Sequence, residues 1–561
     1  MKLPIRLATL CFLGLAAGCN SPGTDELAAI DADKADMIVV NANGYTMAGD
    51  ALARFETLVI DDGKVIARGD ASLADQYNPA TTLDVGGRTV LPGLIDAHGH
   101  VSSLGKLRQT VDLAGIGSLD STLGVIATYD RSLGDDTQWL IGRGWNQVLW
   151  TEKRFPTAKD LDGIVGERPA FLNRIDGHAA WANTAALQLA GIDDNTPDPD
   201  GGKIIRDDNG KATGVLIDAA MSLVQAVVPP DDTAAQRDHL RVAMYELAAL
   251  GVTGVHDAGV SATEVRLYQE LADSGEMAIR VSAMLGGLEV LEAFDGPIQG
   301  YADDLFEVTS VKLYGDGALG SRGAALIEPY SDDPGNVGLL FAQEQEMAAA
   351  IRAAHEKGLA ANIHAIGDRA NEMVLNAFAM VNDGKPSAFN DRIEHAQIVT
   401  LEDIKRFAEL DIIASFQPTH ATSDMNMAED RVGSERILGA YAWRRMLDAG
   451  VRMAAGSDFP VEKPEMFDGL YAAVTRKDKN GRPPEGWYPD QVLTREETLA
   501  AFTTWAADSV GQGDRIGELS DGYWADFIVI DRDYFEVPEA EIWQIQVEQT
   551  WVAGRQISAT R

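Results

Sequence analysis

Five short segments of the chain carry residues able to hold a metal ion. They are Leu94-Ile95-Asp96-Ala97-His98-Gly99-His100, Val311-Lys312-Leu313-Tyr314-Gly315, Asn362-Ile363-His364-Ala365, Arg392-Ile393-Glu394-His395 and Ala455-Gly456-Ser457-Asp458. In each, the ligand type sits in or just after an apolar, strand-like run. A parallel barrel gathers the C-terminal ends of its strands on one face. Four histidines, one Asp and one Lys meeting there would make a metal-hydrolase centre. His98 and His100 are two residues apart, a spacing that turns both side chains to one face of a strand. Taken singly, His364 and His395 read as packing or capping residues, and Asp458 as a turn residue or helix cap. Their shared position at strand ends joins them. Lys312 differs in kind. A cationic amine cannot bind a metal, whereas a neutral one can take up CO2 as a carbamate that bridges two ions about 3.5–4 Å apart. By residue type alone, an ordinary ion pair, for example with Asp316, is the stronger reading.

The elements that must position these groups follow a repeated punctuation of helix, glycine, strand and polar residue. Leu247 to Leu250, Gly251 and Val252 to Val255 lead to His256-Asp257; Met347 to Lys357, Gly358 and Leu359 to Ile363 lead to His364; Arg444 to Ala449, Gly450 and Val451 to Ala455 lead to Ser457-Asp458. Helices alternating with short apolar strands predict βαβ units and a parallel sheet. The fold expected is α/β, a (β/α)8 barrel over 91–510. Residues 37–90 and 511–561 are strand-rich, with Asp62-Gly63 as a hairpin turn. They predict one small β-sandwich built from both ends of the chain. The stretch 115–240 exceeds one βα unit and is expected to form an insertion over the barrel mouth. Turn-rich Asp198–Gly202 and Asp207–Gly210 frame a hairpin within it.

Composition narrows the function classes. With 561 residues, 45% of them hydrophobic, the chain supports a large core. A net charge of −39 disfavours nucleic acid and anionic lipid, and argues weakly against a highly anionic substrate. The only cysteines are Cys11 and Cys19, so a metal must rest on imidazole and oxygen ligands. Lys2, Arg6 and the short apolar run Leu7 to Leu15 form an export signal. Leu15-Ala16-Ala17-Gly18-Cys19 resembles a lipobox. The expectation is a signal peptide over 1–19, a tether over 20–36, and an exported protein. It would be an outer-membrane lipoprotein facing the periplasm or a periplasmic protein, touching membrane only through that anchor.

His98-Gly99-His100, Lys312, His364, His395 and Asp458 stand in the order seen in the amidohydrolase superfamily. Leu91-Pro92-Gly93-Leu94-Ile95-Asp96-Ala97-His98, Asp176-Gly177-His178-Ala179-Ala180-Trp181, Lys312-Leu313-Tyr314-Gly315-Asp316-Gly317-Ala318-Leu319-Gly320 and Gly456-Ser457-Asp458-Phe459-Pro460 resemble its YtcJ-like branch, which includes N-substituted formamide deformylases. The resemblance spans about 37 to 557. It implies that His98 and His100 bind the buried metal, that a carbamate on Lys312 bridges, and that His364 and His395 bind the outer metal. Asp458 would bind metal and carry the proton. One or two divalent ions are expected, zinc foremost. They lower the pKa of a bound water to about 7, and the hydroxide attacks a carbonyl. The function implied is hydrolysis of a non-peptide C–N bond in a small amide, N-substituted formamide or N-acyl compound. A cyclic amide or a lactone is the second enzymatic option. A non-catalytic, surface-anchored binding or regulatory protein on the same barrel is the option from another class. The sandwich and barrel could also serve assembly into a homo-oligomer, on which the sequence is silent.

For the substrate pocket the candidates are His178, Trp145, Arg322 and His420. His178 reads equally as a structural residue beside Trp181, and Arg322 as the partner of an acid such as Glu328. His256 is expected to support the ligands from behind. His239 and His355, in helix-like stretches, are expected at the surface.

Overall fold

The structure, a computed structural model, describes residues 33–49, 51–134, 139–175 and 177–557. The expected export signal, Cys19 and most of the expected tether lie outside the described residues. Among the described residues no helix is long and apolar enough to cross a membrane.

Eight parallel strands form the barrel: β1 (Leu94–Gly99), β2 (Val252–Val260), β3 (Arg280–Gly286), β4 (Phe306–Tyr314), β5 (Ala360–Ala365), β6 (Arg392–His395), β7 (Ile413–Phe416) and β8 (Met453–Ala455). They hydrogen-bond in sequence order, and Ile298–Tyr301 adds an antiparallel strand beside β4. The ring closes just beyond β8, where the backbone of Gly99 pairs with Phe459. Register decides which candidate ligands share a level. Lys312 stands opposite Asn362, Tyr314 opposite His364, and Ala365 opposite His395. The strands are short and apolar because both faces are covered. Outer helices start where the sequence supplies caps: Ser261 and Glu264 form a reciprocal box at the helix Ala262–Asp273. Gly251, Gly358 and Gly450 all take left-handed backbone before β2, β5 and β8.

The ends of the chain form two sheets around one apolar core that includes Val39, Leu58, Val90, Phe527 and Val529. In the larger sheet, Thr89–Pro92 lies between Asn43–Ala48 and Phe527–Ile530, so both termini share a wall. The Asp62-Gly63 turn joins Thr57–Asp61 to Lys64–Gly69 with positive φ at both residues.

Between β1 and the helix Thr233–Ala249 a third, six-stranded sheet folds on itself. It contains the expected hairpin, Gly202–Arg206 against Ala212–Asp218. One face buries Trp145, Trp150 and Trp181; the other buries Phe171, Ile204 and Leu216.

Candidate metal centre

The sequence around β1 and β8 makes two tight approaches. A side chain at Gly99 would place its first carbon 2.2 Å from the Phe459 ring, and one at Gly456 would meet the backbone nitrogen of His98 at 2.5 Å. These glycines let the two strand ends close on each other. Asp96 then ties them: its carboxylate accepts from the backbone N–H groups of His98 (3.1 Å) and Ser457 (2.9 Å), and from the Ser457 hydroxyl (2.6 Å). Asp458 and His395 both adopt left-handed backbone, with φ of 62° and 74°. For residues other than glycine this conformation is strained and persists where surrounding structure enforces it.

Three imidazoles share one arrangement. His98 Nδ1–H donates to Glu394 Oε2 (2.5 Å), His100 Nδ1–H to the Ala258 carbonyl (2.9 Å), and His395 Nδ1–H to Gln417 Oε1 (2.8 Å). Each Nδ1 is thereby occupied from outside. His98 Nε2 and His395 Nε2 keep their lone pairs for the centre, whereas His100 Nε2–H donates to Asp458 Oδ1; burial opposes a charge on His100, but that hydrogen bond raises its pKa. His100 Nε2 is 3.1 Å and His98 Nε2 3.7 Å from Asp458 Oδ1. His420 Nε2 is 3.6 Å from Asp458 Oδ2. His364 lies beside them, its ring 4.6 Å from that of His395. Buried His364 Nε2 and His420 Nε2 have no hydrogen-bond partner. Such orphaned nitrogens fit metal ligands, and two groups have donor atoms mutually within 4.8 Å: His98, His100 and Asp458, and His395, His420 and Asp458.

Charge supports the same fit. Burial, with Lys312 nearby, lowers the pKa of His98 to about 4; burial likewise lowers His364 to about 3 and His395 well below the usual imidazole value. These rings are neutral, as ligation requires. Burial opposes the charge on Asp458. The hydrogen bond from His100 and the charges of neighbouring rings nevertheless hold its carboxyl far below the ordinary range. Lys312 is buried, and desolvation brings its amine down to about 8. Its Nζ lies 3.0 Å from His98 Nε2. Asp316 does not pair with it. That carboxylate accepts from the backbone N–H groups of Ala325, Ile366 and Gly367, binding the loop after β4 to the loop after β5.

A cavity of about 410 Å³ opens over this cluster, lined by His100, Lys312, His364, His395, His420 and Asp458 together with Tyr314, Leu319, Asp424 and Glu462. The four pocket candidates divide. His420 is on the wall. Trp145 is not: it is fully buried in the insertion, with its indole N–H donating to the Leu172 carbonyl (2.7 Å). His178 lies at the exposed edge of the insertion with its Nδ1 2.8 Å from Asp218, rather than buried beside Trp181. Arg322 pairs outside the cavity with Asp332 (2.9 Å), not with Glu328. Among the described residues none from 115–240 lines the cavity, because the insertion spends its apolar faces on its own core. His256 is buried and accepts from Arg392 (2.9 Å), behind the ligands. His239 and His355 are not surface residues. His239 is buried on the apolar face of its helix, and His355 stacks on Phe389 and pairs with Asp391.

Sequence reasoning passed over Arg392 and Glu394. Both are fully buried in β6, and the guanidinium grips the carboxylate through Nε (2.8 Å) and Nη2 (2.9 Å). The period-2 alternation of a strand puts both on one face. Two opposite charges on the inward face of a four-residue strand was the signal that would have found them.

The chain is similar to known proteins along most of its length. The N-substituted formamide deformylase of Arthrobacter pascens is 31% identical over 540 residues, 92% of this chain and 97% of that protein. The YtcJ protein of Bacillus subtilis is 33% identical over 524 residues, 91% of this chain and 97% of its own length. The crystal structure of an uncharacterised metal-dependent hydrolase from Pyrococcus furiosus superimposes with a TM-score of 0.75 at 28% identity, covering 89% of this chain and all of that one. The family pattern runs unbroken through residues 81–558, from the sandwich through the barrel and back, and by it the chain belongs to the amidohydrolase family.

Proposed function

We propose that the protein hydrolyses the C–N bond of a small, non-peptide amide, N-substituted formamide or N-acyl compound, with one or two divalent ions, zinc foremost. The observation that carries this reading is the convergence of three Nε2 atoms and Asp458 beside a buried amine. His98, His100 and Asp458 would hold one ion. His395 with His420 or His364 would hold the other, and Lys312 would bridge as a carbamate. Its neutral amine adds to the carbon of CO2 and loses a proton, leaving a carboxylate-like pair of oxygens. When bound, such ions polarise a carbonyl and acidify a coordinated water.

The chain's own groups do the rest. Asp458, kept ionised, takes the proton of the attacking water and returns it to the leaving nitrogen. A C–O bond forms, the C–N bond breaks, and an acid and an amine leave. The side chains lining the cavity hold the substrate over this group. Among them Lys312 is the one lysine or arginine, while Asp424 and Glu462 are acids. The N-substituted formamide deformylase among the relatives adds weight to a formamide or related amide.

Metal content per chain tests the reading, with Lys312→Ala alongside. About two ions, falling in the variant and partly restored by a short carboxylic acid, are expected. A chain that takes up no zinc after supplementation with bicarbonate would turn the assignment towards a non-catalytic role.

A further inference from the structure

Three histidines of the centre donate outward through Nδ1, but their acceptors differ in charge. His100 meets a backbone carbonyl and His395 a neutral amide, whereas His98 meets the carboxylate of Glu394. We propose that Glu394, clamped by Arg392, is the positioning residue that fixes the tautomer and aim of His98 and raises its basicity towards the metal. The inference rests on the metal-centre reading.

The clamp is anchored on several sides. Arg392 Nη2 donates to the Ala97 carbonyl in β1 (2.6 Å) and to the Ser415 hydroxyl in β7 (3.0 Å). Its Nη1 donates to His256 Nδ1 in β2 (2.9 Å) and to the Ser509 hydroxyl (3.3 Å). With three strands holding the guanidinium, its two-pronged grip leaves Glu394 one orientation. The second oxygen then accepts from His98 Nδ1–H at 2.5 Å, and His98 Nε2 is turned towards Lys312 and Asp458. A carboxylate behind a ligating imidazole strengthens the ligand and fixes its ring. An isolated carboxylate buried this deeply would be costly; Arg392 makes the pair neutral. A mere structural plug would need the pair but would not need it aimed at a ligand.

The test uses the purified chain, stripped by a chelator and titrated with Zn2+. Wild type is compared with Glu394→Gln and Glu394→Asp, and fold is checked by circular dichroism. Glu394→Gln is expected to stay folded and to lose about 10–100-fold in zinc affinity. Glu394→Asp, which keeps the charge but shortens the reach, should fall between. A second readout needs no metal. The ring nitrogens of His98 in the stripped protein, followed by NMR, should show Nδ1 protonated in wild type and a tautomer mixture in Glu394→Gln. If Glu394→Gln does not fold, the charge-balanced Arg392→Met, Glu394→Gln double variant carries the same two measurements. A folded variant with wild-type zinc affinity and wild-type tautomer overturns the proposal. A wild type that takes up no zinc overturns the centre itself, and this proposal with it.

Discussion

The insertion and the barrel mouth bury comparable rings to opposite ends. In the insertion Trp145, Trp150 and Trp181 pack with centroids 6.1–6.4 Å apart, edge to face or tilted, in a fully apolar core. At the mouth, the His395 ring lies 5.0 Å from that of His98 and 4.6 Å from that of His364, among Lys312, Glu394, Arg392 and Asp458, every one of them buried or nearly so. The first arrangement is what folding alone favours: large apolar area removed from water, with Trp145 and Trp181 donating their indole N–H groups to carbonyls. The second is what folding alone opposes. It gathers buried charges and leaves the ring nitrogens of His364 and His420 without partners, where the tryptophan cluster leaves the indole N–H of Trp150. Local structure that works against stability while being held firmly by its surroundings marks the place where a protein does its chemistry.

Asp458→Asn separates the two regions most sharply. It should leave the fold and part of the metal in place while lowering turnover by about 10²–10⁴-fold, the usual worth of a positioned proton carrier. Near-wild-type turnover on the amide identified by screening would remove that role. Trp145→Ala should do the reverse. It is expected to cost about 3–5 kcal/mol of stability, read by denaturant unfolding, with metal content per folded chain retained. Lost zinc in a folded Trp145→Ala protein would tie the insertion to the centre. Arg322→Ala should matter least. Its pair with Asp332 is solvent-exposed and shared with Arg431, so little or no loss of stability is expected on denaturant unfolding. A large rise in KM in that variant would bring Arg322 back to the pocket.

How much of this was legible in the sequence follows the same division. The ligand segments were readable because barrel strands are short, apolar and punctuated by glycine, and a polar residue at each end has one side to face. The His-Gly-His and Gly-Ser-Asp motifs even carry the glycines that the approach of β1 to β8 requires. Trp145 was misplaced because residue type suits a pocket and a core equally, and only topology tells them apart. His239 lies in register with Leu240, Ala243, Met244 and Leu247 on one helical face, so the 3.6-residue period placed it inside all along. His355 gives no such signal, since its stacking partner Phe389 is remote in sequence. Whether His364 or His420 completes the second group of ligands depends on how the helix Pro418–Asp424 leans over β7, which spacing does not encode.

The sheet shared by both chain ends has a consequence for how the molecule is made. Thr89–Pro92 leads directly into β1, yet its neighbour on one side is Phe527–Ile530, more than four hundred residues later. Pairings this remote close slowly. A ribosome delivers the early strands first, and they wait with an apolar face uncovered until the last tenth of the chain arrives. The candidate metal ligands His98 and His100, at the end of β1, hang from that unfinished wall. Assembly of the centre is thus coupled to the arrival of the C-terminal strands, and a chain cut short before them would lose its beginning as well as its end.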